Sequence, residues 1–295
     1  MVDRAEETVG LVGVGLVGSV VASRLLTAGY AVVAYDIDPG RLGDIAARGA
    51  AGATSAREVG ERTRRVILSL FDSDGVRQVV ERDDGLLSAG TAPSHIIDTT
   101  TGAPADTVAL ASRLHARGVG LVDATISGSS AQLRDGNAVL MVGGEDADVD
   151  ACDDLLRVIS PTVKHVGPPG NGAKAKLATN VLIGLNRAAL AEGLAFAESI
   201  GLDAGRFLDL ARITPGRSAA MEVKGDRMVA RDFTPDSRVR HHRKDLRLIL
   251  DAARDAGQGM PLSETHARLL DALIEAGDGD LDNAAIIRAL QRLRG

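Results

Sequence analysis

Thr8-Val9-Gly10-Leu11-Val12-Gly13-Val14-Gly15-Leu16-Val17-Gly18 decides how the first half of this chain folds. Its first residues are a short apolar run of the kind that forms a buried strand. The run leads directly into Gly13-x-Gly15-x-x-Gly18, and Ser19 to Ala28 follows with helical spacing up to the stop at Gly29. A second apolar run, Ala31-Val32-Val33-Ala34-Tyr35, ends on Asp36. Three glycines at this spacing mean little alone. Between a strand and a helix, with an acid at the tip of the next strand, they form the fingerprint of a dinucleotide site. Gly13 permits the tight turn, Gly15 the approach of backbone to a pyrophosphate, and Gly18 the close packing of helix on strand. The helix start offers N–H groups and the positive end of its dipole to phosphate. Asp36 would accept the ribose hydroxyls and repel a 2′-phosphate, so NAD is expected, with NADP as the alternative. The plainer reading is that Asp36 only opens the turn Asp38-Pro39-Gly40.

The same alternation continues. Strands are expected at Val66–Leu70, His95–Asp98, Leu121–Ala124, Ala138–Val142 and Val163–Val166, with helical stretches between most of them. This pattern implies a mainly parallel, doubly wound sheet with ligands at the carboxyl ends of its strands. Phe71, Asp98-Thr99-Thr100-Thr101 and Thr125-Ile126-Ser127 fall at such ends. Thr101 is placed to cap the next helix, or the threonines (Thr100 among them) line the nicotinamide pocket. Asp123-Ala124-Thr125-Ile126-Ser127-Gly128-Ser129 leaves its strand into a small-residue loop. Ser127, Gly128 and Ser129 either present hydroxyls and N–H groups to an anion or make an ordinary loop.

Gly167-Pro168-Pro169-Gly170 breaks the alternation. It sets the expected boundary between a dinucleotide-binding domain, 1–168, and an all-helical substrate and oligomerisation domain, 169–295. Residues 171–200 read as one long interdomain helix, apolar all round and therefore expected as a buried spine. Its start, Gly170-Asn171-Gly172-Ala173-Lys174-Ala175-Lys176-Leu177-Ala178-Thr179-Asn180, puts Lys176 and Asn180 four apart on one face. Either this is a solvated helix start, or the lysine moves a proton while the amide holds a hydroxyl or carboxylate. Further helices are expected at 204–212, 218–231, 238–256, 262–275 and 283–293. Phe233 to Leu250 carries Arg238, Arg240, His241, His242, Arg243, Lys244 and Arg247 beside Leu246, Leu248, Ile249 and Leu250, so one side of that helix must be buried. Lys244 and Asp245 are candidates to face a cleft between the domains. No metal site is expected, because His241 and His242, being adjacent, point apart on a helix.

Composition narrows the classes of function. The chain has 295 residues, 45% of them hydrophobic, enough for two ordinary domains. A net charge of −6 and an aromatic content of 2% argue against a nucleic-acid partner. No apolar run reaches membrane-span length. Cys152 is the only cysteine, so no internal disulfide forms, and its helical context suggests a core residue. The charged start Met1-Val2-Asp3-Arg4-Ala5-Glu6-Glu7 has no signal-peptide core, so a cytoplasmic location is expected.

From Gly13 to about Leu290 the chain resembles the β-hydroxyacid dehydrogenase family, whose members include 3-hydroxyisobutyrate dehydrogenase and the glyoxylate/succinic semialdehyde reductases. The cofactor loop matches Gly13-Val14-Gly15-Leu16-Val17-Gly18, with Val17 where methionine is usual. The substrate loop D-A-P-V-S-G-[GS] matches Asp123–Ser129, with Thr125 in place of proline. The stretch G-x-G-x-x-x-K-x-x-x-N matches Gly170–Asn180, and K-D-L matches Lys244-Asp245-Leu246. The glyoxylate/succinic semialdehyde reductase branch is nearest in these motifs, although it commonly carries phenylalanine where this chain has Ser237 and basic residues where it has Asp36. The resemblance implies a Rossmann-type domain joined by a long helix to an all-α domain, and a homodimer or homotetramer. It implies reversible hydride transfer between NAD and a small hydroxy acid or semialdehyde. Lys176 would be catalytic, Ser127, Gly128, Ser129, Asn180 and Asp245 would bind substrate, and Gly13, Gly15, Leu16, Val17, Gly18, Asp36, Phe71, Thr100 and Lys244 would contact cofactor. An imine reductase shares the architecture but typically lacks the lysine. A 6-phosphogluconate dehydrogenase usually has His-Asn at Thr179-Asn180, and a non-catalytic dinucleotide-binding module is the remaining alternative.

Overall fold

A computed structural model describes residues 7–293; the charged segment 1–6 lies outside them. The chain divides into two compact units, Met1–Lys176 and Leu177–Gly295. The break falls inside the long helix, past the Gly-Pro-Pro-Gly turn where residue chemistry placed the 168/169 boundary, because the first turn of that helix stays bonded to the sheet.

The first unit is an eight-stranded sheet with helices on both faces. Its strands are β1 (Thr8–Val12), β2 (Ala31–Tyr35), β3 (Ala51–Gly52), β4 (Arg65–Leu68), β5 (His95–Asp98), β6 (Gly120–Ser127), β7 (Val139–Gly143) and β8 (Thr162–His165). They lie in the order β3-β2-β1-β4-β5-β6-β7-β8. Chain direction out of β1 reverses at the β1/β4 junction, which opens a ligand crevice at the carboxyl ends of those strands. All pairings are parallel except β6 with β7. The central strands are buried on both faces, and their alternation divides the apolar residues between two cores; the edge strands β3 and β8 are mostly exposed. Val9, Leu11, Ala34, Ile67, Ile97 and Val122 pack on one face with α1 (Gly18–Thr27) and, further along, α7 (Asp146–Ile159). Val12, Val33, Val66, Leu68 and Ile96 pack on the other, with α3 (Ala56–Arg62), α4 (Ser73–Glu81) and α5 (Pro104–His115). The short α2 (Pro39–Ala46) and α6 (Ser130–Arg134) complete the unit. Cys152 is fully buried and apolar surroundings push its thiol up to about 12, so it behaves as a small core residue.

Several local expectations change. The strand expected to reach Leu70 stops at Leu68, and the helix expected over 218–231 divides into a π-helical turn and a short α-helix. β6 continues through Thr125-Ile126-Ser127 instead of ending at Ala124, since its antiparallel partner β7 pairs with it as far as Ser127. Thr101 does not cap α5: the capping position is Ala103, and Pro104 at the first helical position needs no N–H acceptor.

α8 (Asn171–Ser199) leads into the helical unit, which continues with α9 (Ala204–Arg212), a π-helical turn at Met221–Gly225, α10 (Asp226–Ala230), α11 (Val239–Asp255), α12 (Pro261–Glu275) and α13 (Ile286–Gln291). The single apolar core gathers Leu190, Ala191 and Leu194 of α8 with Leu246 and Ile249 of α11 and Leu270 and Leu273 of α12. α8 is not buried all round. Leu182, Ile183 and Phe196 are exposed, because apolar residues occupy every angle of the helix and the core covers only one stripe. At the base of the unit the fully buried Asp282 accepts both hydrogen bonds of the Lys224 ammonium, at 2.8 and 2.9 Å, and the N–H groups of Asp236, Ser237 and Ala284. Burial opposes its charge, but Lys224 and these donors hold the carboxyl below the usual range.

Candidate active site

The glycine-rich loop has the shape a dinucleotide needs. Gly13 has φ +92°. A Cβ on Gly18 would sit 2.0 Å from the Gly13 carbonyl, so only glycine lets α1 start this close to the strand. Above Gly15 the space is open, with only Arg41 Nη1 within 4.0 Å of a built Cβ. The start of α1 has no side-chain cap and no acid in its first turn. The N–H groups of Ser19 and Val20 donate to the Gly15 and Val17 carbonyls, and the dipole end is not opposed by a first-turn carboxylate, which fits a bound pyrophosphate.

Asp36 lies within this loop. Its carboxylate accepts the N–H of Val14 at 2.6 Å and that of Asp38 at 2.9 Å. Asp36 thus braces the loop and opens the following turn; its two readings from sequence are compatible. Arg41, which the sequence reading passed over, brings its guanidinium to 3.7 Å from Asp36 and 3.3 Å from Asp38 while remaining half exposed. Its signal was a basic residue five positions past the acid, on the first turns of α2. Leu16 and Phe71 are exposed near strand ends, and Val17 is half-buried. Thr100 is buried, and its hydroxyl accepts the N–H of Leu70, tying the ends of β4 and β5 together.

At the end of β6 Ser127 is half-buried; beyond it Gly128 is exposed and Ser129 is half-buried. Ser129 also caps α6: its Oγ accepts the Gln132 N–H, and its own N–H donates to the Gln132 side chain. The cap fixes the hydroxyl through its lone pair and leaves the hydroxyl proton for a ligand.

Asp123 lies on the same strand, and its residue type alone gives it no role. It is 2% exposed, and its carboxylate accepts the N–H of Gly170 at 2.9 Å and of Ala173 at 2.8 Å. It serves as a cap for α8 supplied from 47 residues upstream. Burial pushes its pKa up, against the pull of these backbone donors. The available signal was the start of α8 itself, Gly170-Asn171-Gly172, a long helix opening without an acid of its own. Lys176 follows on α8 and is 8% exposed, whereas Lys174 is exposed and donates to Asn171.

In the helical unit Asn180 is buried, and its amide donates to Asp245 at 3.1 Å, which fixes the way the amide is turned. Lys244 Nζ lies 3.2 Å from the other Asp245 oxygen. Two arginines of this helix are held by acids on other elements: Arg243 by both oxygens of Asp271, at 2.7 and 3.0 Å, and Arg240 by Asp280 at 2.6 Å. His242 packs its ring on that of His266, with centroids 5.1 Å apart.

Fold and loop together define a nicotinamide-dinucleotide-dependent oxidoreductase. Residues 8–167 match the model of the NAD binding domain of 6-phosphogluconate dehydrogenase, and residues 170–290 that of the NAD-binding domain of NADP-dependent 3-hydroxyisobutyrate dehydrogenase. The chain is 30% identical to the probable 3-hydroxyisobutyrate dehydrogenase-like 3, mitochondrial, of Arabidopsis thaliana, over 100% of this chain and 91% of that protein. It is 28% identical to 2-hydroxy-3-oxopropionate reductase of Escherichia coli, over 96% of each. The crystal structure of 3-hydroxyisobutyrate dehydrogenase from Salmonella typhimurium superposes with a TM-score of 0.87 at 28% identity, covering 96% of this chain and 99% of that one. The chain belongs to the β-hydroxyacid dehydrogenase family and is an NAD(P)-dependent hydroxyacid dehydrogenase.

Proposed function

We propose that this enzyme interconverts a small hydroxy acid and its aldehyde, either a 3-hydroxyisobutyrate-like 3-hydroxy acid and its semialdehyde or glyoxylate or succinic semialdehyde and the hydroxy acid each gives on reduction, with Lys176 as the general acid/base. The observation that carries the reading is a buried lysine near the start of a helix whose first turn is bonded to the strand that also leads into Ser127-Gly128-Ser129. The dinucleotide contributes hydride transfer when bound, and the protein supplies alignment and the proton.

In the reducing direction the Lys176 ammonium donates a proton to the carbonyl oxygen as hydride reaches the carbon, giving the hydroxyl. In oxidation the neutral amine takes that proton back. Ser127, Gly128 and Ser129 hold the substrate carboxylate through hydroxyl and N–H donors. Asn180, one helical turn beyond Lys176, positions the hydroxyl or carboxylate, with Asp245 holding its amide in place. In the cofactor loop Gly13, Gly15, Leu16, Val17 and Gly18 approach the pyrophosphate, and Asp36 meets the adenosine ribose. Phe71, Thr100 and Lys244 complete the cofactor contacts. We further propose a cytoplasmic homodimer or homotetramer.

The test is a panel of 3-hydroxyisobutyrate, tartronate semialdehyde, glyoxylate, succinic semialdehyde and a cyclic imine, each with NAD(H) and NADP(H). Oxidation or reduction of a hydroxy acid or semialdehyde is expected, with no imine turnover. Lys176→Met should lower kcat on the best substrate by about a hundredfold or more, the scale of lost acid/base catalysis, with NADH still bound. Near-normal turnover in that variant would refute the role.

A further inference from the structure

We infer that Thr125, acting with Asp123, is a positioning residue that sets the orientation of Lys176, an inference that rests on the acid/base reading above. Asp123 and Thr125 are two apart on β6 and so point the same way, toward the first turn of α8. Asp123 takes the N–H groups of Gly170 and Ala173, while Thr125 Oγ1 donates to the Gly172 carbonyl at 2.9 Å, with the Met141 carbonyl farther off at 3.3 Å.

The two side chains do different work. The carboxylate holds the end of the helix by its donors, at Gly170 and Ala173. The hydroxyl grips an acceptor on that turn and adds a third point of attachment, on the acceptor side of the helix backbone. In an α-helix the carbonyl of residue 172 is also the acceptor for the N–H of residue 176. Thr125 therefore bonds to the same oxygen that anchors the backbone of Lys176. The contact surface is tight. A Cβ on Gly172 would lie 2.5 Å from the Asp123 carbonyl and 2.7 Å from that of Met141, so the turn has no room to shift toward the strand. Both side chains are nearly inaccessible, at 2% exposure for Asp123 and 1% for Thr125, so water cannot replace either bond at little cost. β6 runs on from Thr125 into Ser127, which makes one strand the reference for both the lysine and the carboxylate-holding loop. Proline, which occupies this position in the pattern the loop resembles, has no proton to give, so the second grip belongs to this chain.

The experiment uses full-length Thr125→Val, Thr125→Ser, Lys176→Met and the Thr125→Val/Lys176→Met double variant. Hydrogen–deuterium exchange of the segment 171–177 is read first. It should rise about tenfold in Thr125→Val and stay at the wild-type rate in Thr125→Ser, the scale of one lost buried hydrogen bond. With the best substrate of the panel, Thr125→Val should lose about five- to tenfold in kcat while KM and NADH affinity hold, Thr125→Ser should recover the rate, and the loss should disappear in the Lys176→Met background. Unchanged exchange in Thr125→Val, equal damage from valine and serine, or a kcat loss that persists without Lys176 would each overturn the inference. Full turnover in Lys176→Met would instead sink the acid/base reading, and with it the positioning role, while the exchange data would still judge the clasp.

Discussion

Two helices of the sheet unit begin in opposite electrostatic states. α1 starts beside the glycine loop with no capping side chain and no acid in its first turn. α8 starts on a buried carboxylate that takes the N–H group of Ala173 in its first turn and that of Gly170 just before it. Each helix start carries unsatisfied donors and partial positive charge. At α8 a buried carboxylate takes them and makes the helix a fixed mount; at α1 the carbonyls of Gly15 and Val17 take the N–H groups of Ser19 and Val20, and no first-turn carboxylate opposes the positive dipole end that a ligand's phosphates would meet. The same backbone feature thus serves binding at α1 and alignment at α8.

Filling the open end should have the largest effect. Val17→Asp puts a carboxylate at the capping position of α1, where it would repel a pyrophosphate; NADH affinity should fall about a hundredfold for charges a few ångströms apart. Val17→Asn has nearly the same shape and no charge, and should bind within a few-fold of wild type in a fluorescence titration. Equal losses in the two variants would mean that packing, and not the free helix end, governs binding.

Emptying the filled end should cost less. In Asp123→Asn one amide N–H group faces a backbone donor, so a hydrogen bond becomes a repulsion. Urea unfolding should show a loss of about 1–3 kcal/mol, the range for a buried unmet partner. A variant as stable as wild type would show that α8 does not depend on this cap.

The smallest effect concerns the helical unit, where polar groups are buried for packing. Burial, and then the charge of Arg187, push His266 down to about 4 from 6.5. The folded ring stays neutral while the unfolded one takes a proton. Stability from this group is therefore complete above about pH 6.5 and is lost as pH falls toward 4. His266→Gln should flatten the pH dependence of the urea midpoint in that window; an unchanged slope would assign the dependence to other groups.

The contrast between the helix ends also marks what could be read from residues alone. β1, the glycine loop, α1 and β2 are contiguous, and each signal lies within a few residues of its structural consequence. So is the spacing of Lys176 and Asn180. The cap on α8 pairs residues 47 apart in sequence, and an acid near a strand end looks the same whether it faces a ligand or a helix. β6 outran its expected end because strand length is set by its partner β7, which local pattern does not specify. The apolar stretch of α8 suggested full burial, yet Leu182, Ile183 and Phe196 are exposed, since composition does not say how many faces a core covers. The arginines of α11 carry no local sign of what they meet; acids on other elements, Asp271 and Asp280, engage Arg243 and Arg240.

The most direct test of the proton-donor role is chemical rescue. Lys176→Ala should be nearly inactive with NADH and the best semialdehyde while still binding both, and added primary amines such as methylamine and ethylamine should restore hydride transfer in proportion to their concentration. A variant that turns over at close to the wild-type rate, or one whose rate stays flat as amine is added, would contradict Lys176 as the group that delivers the proton.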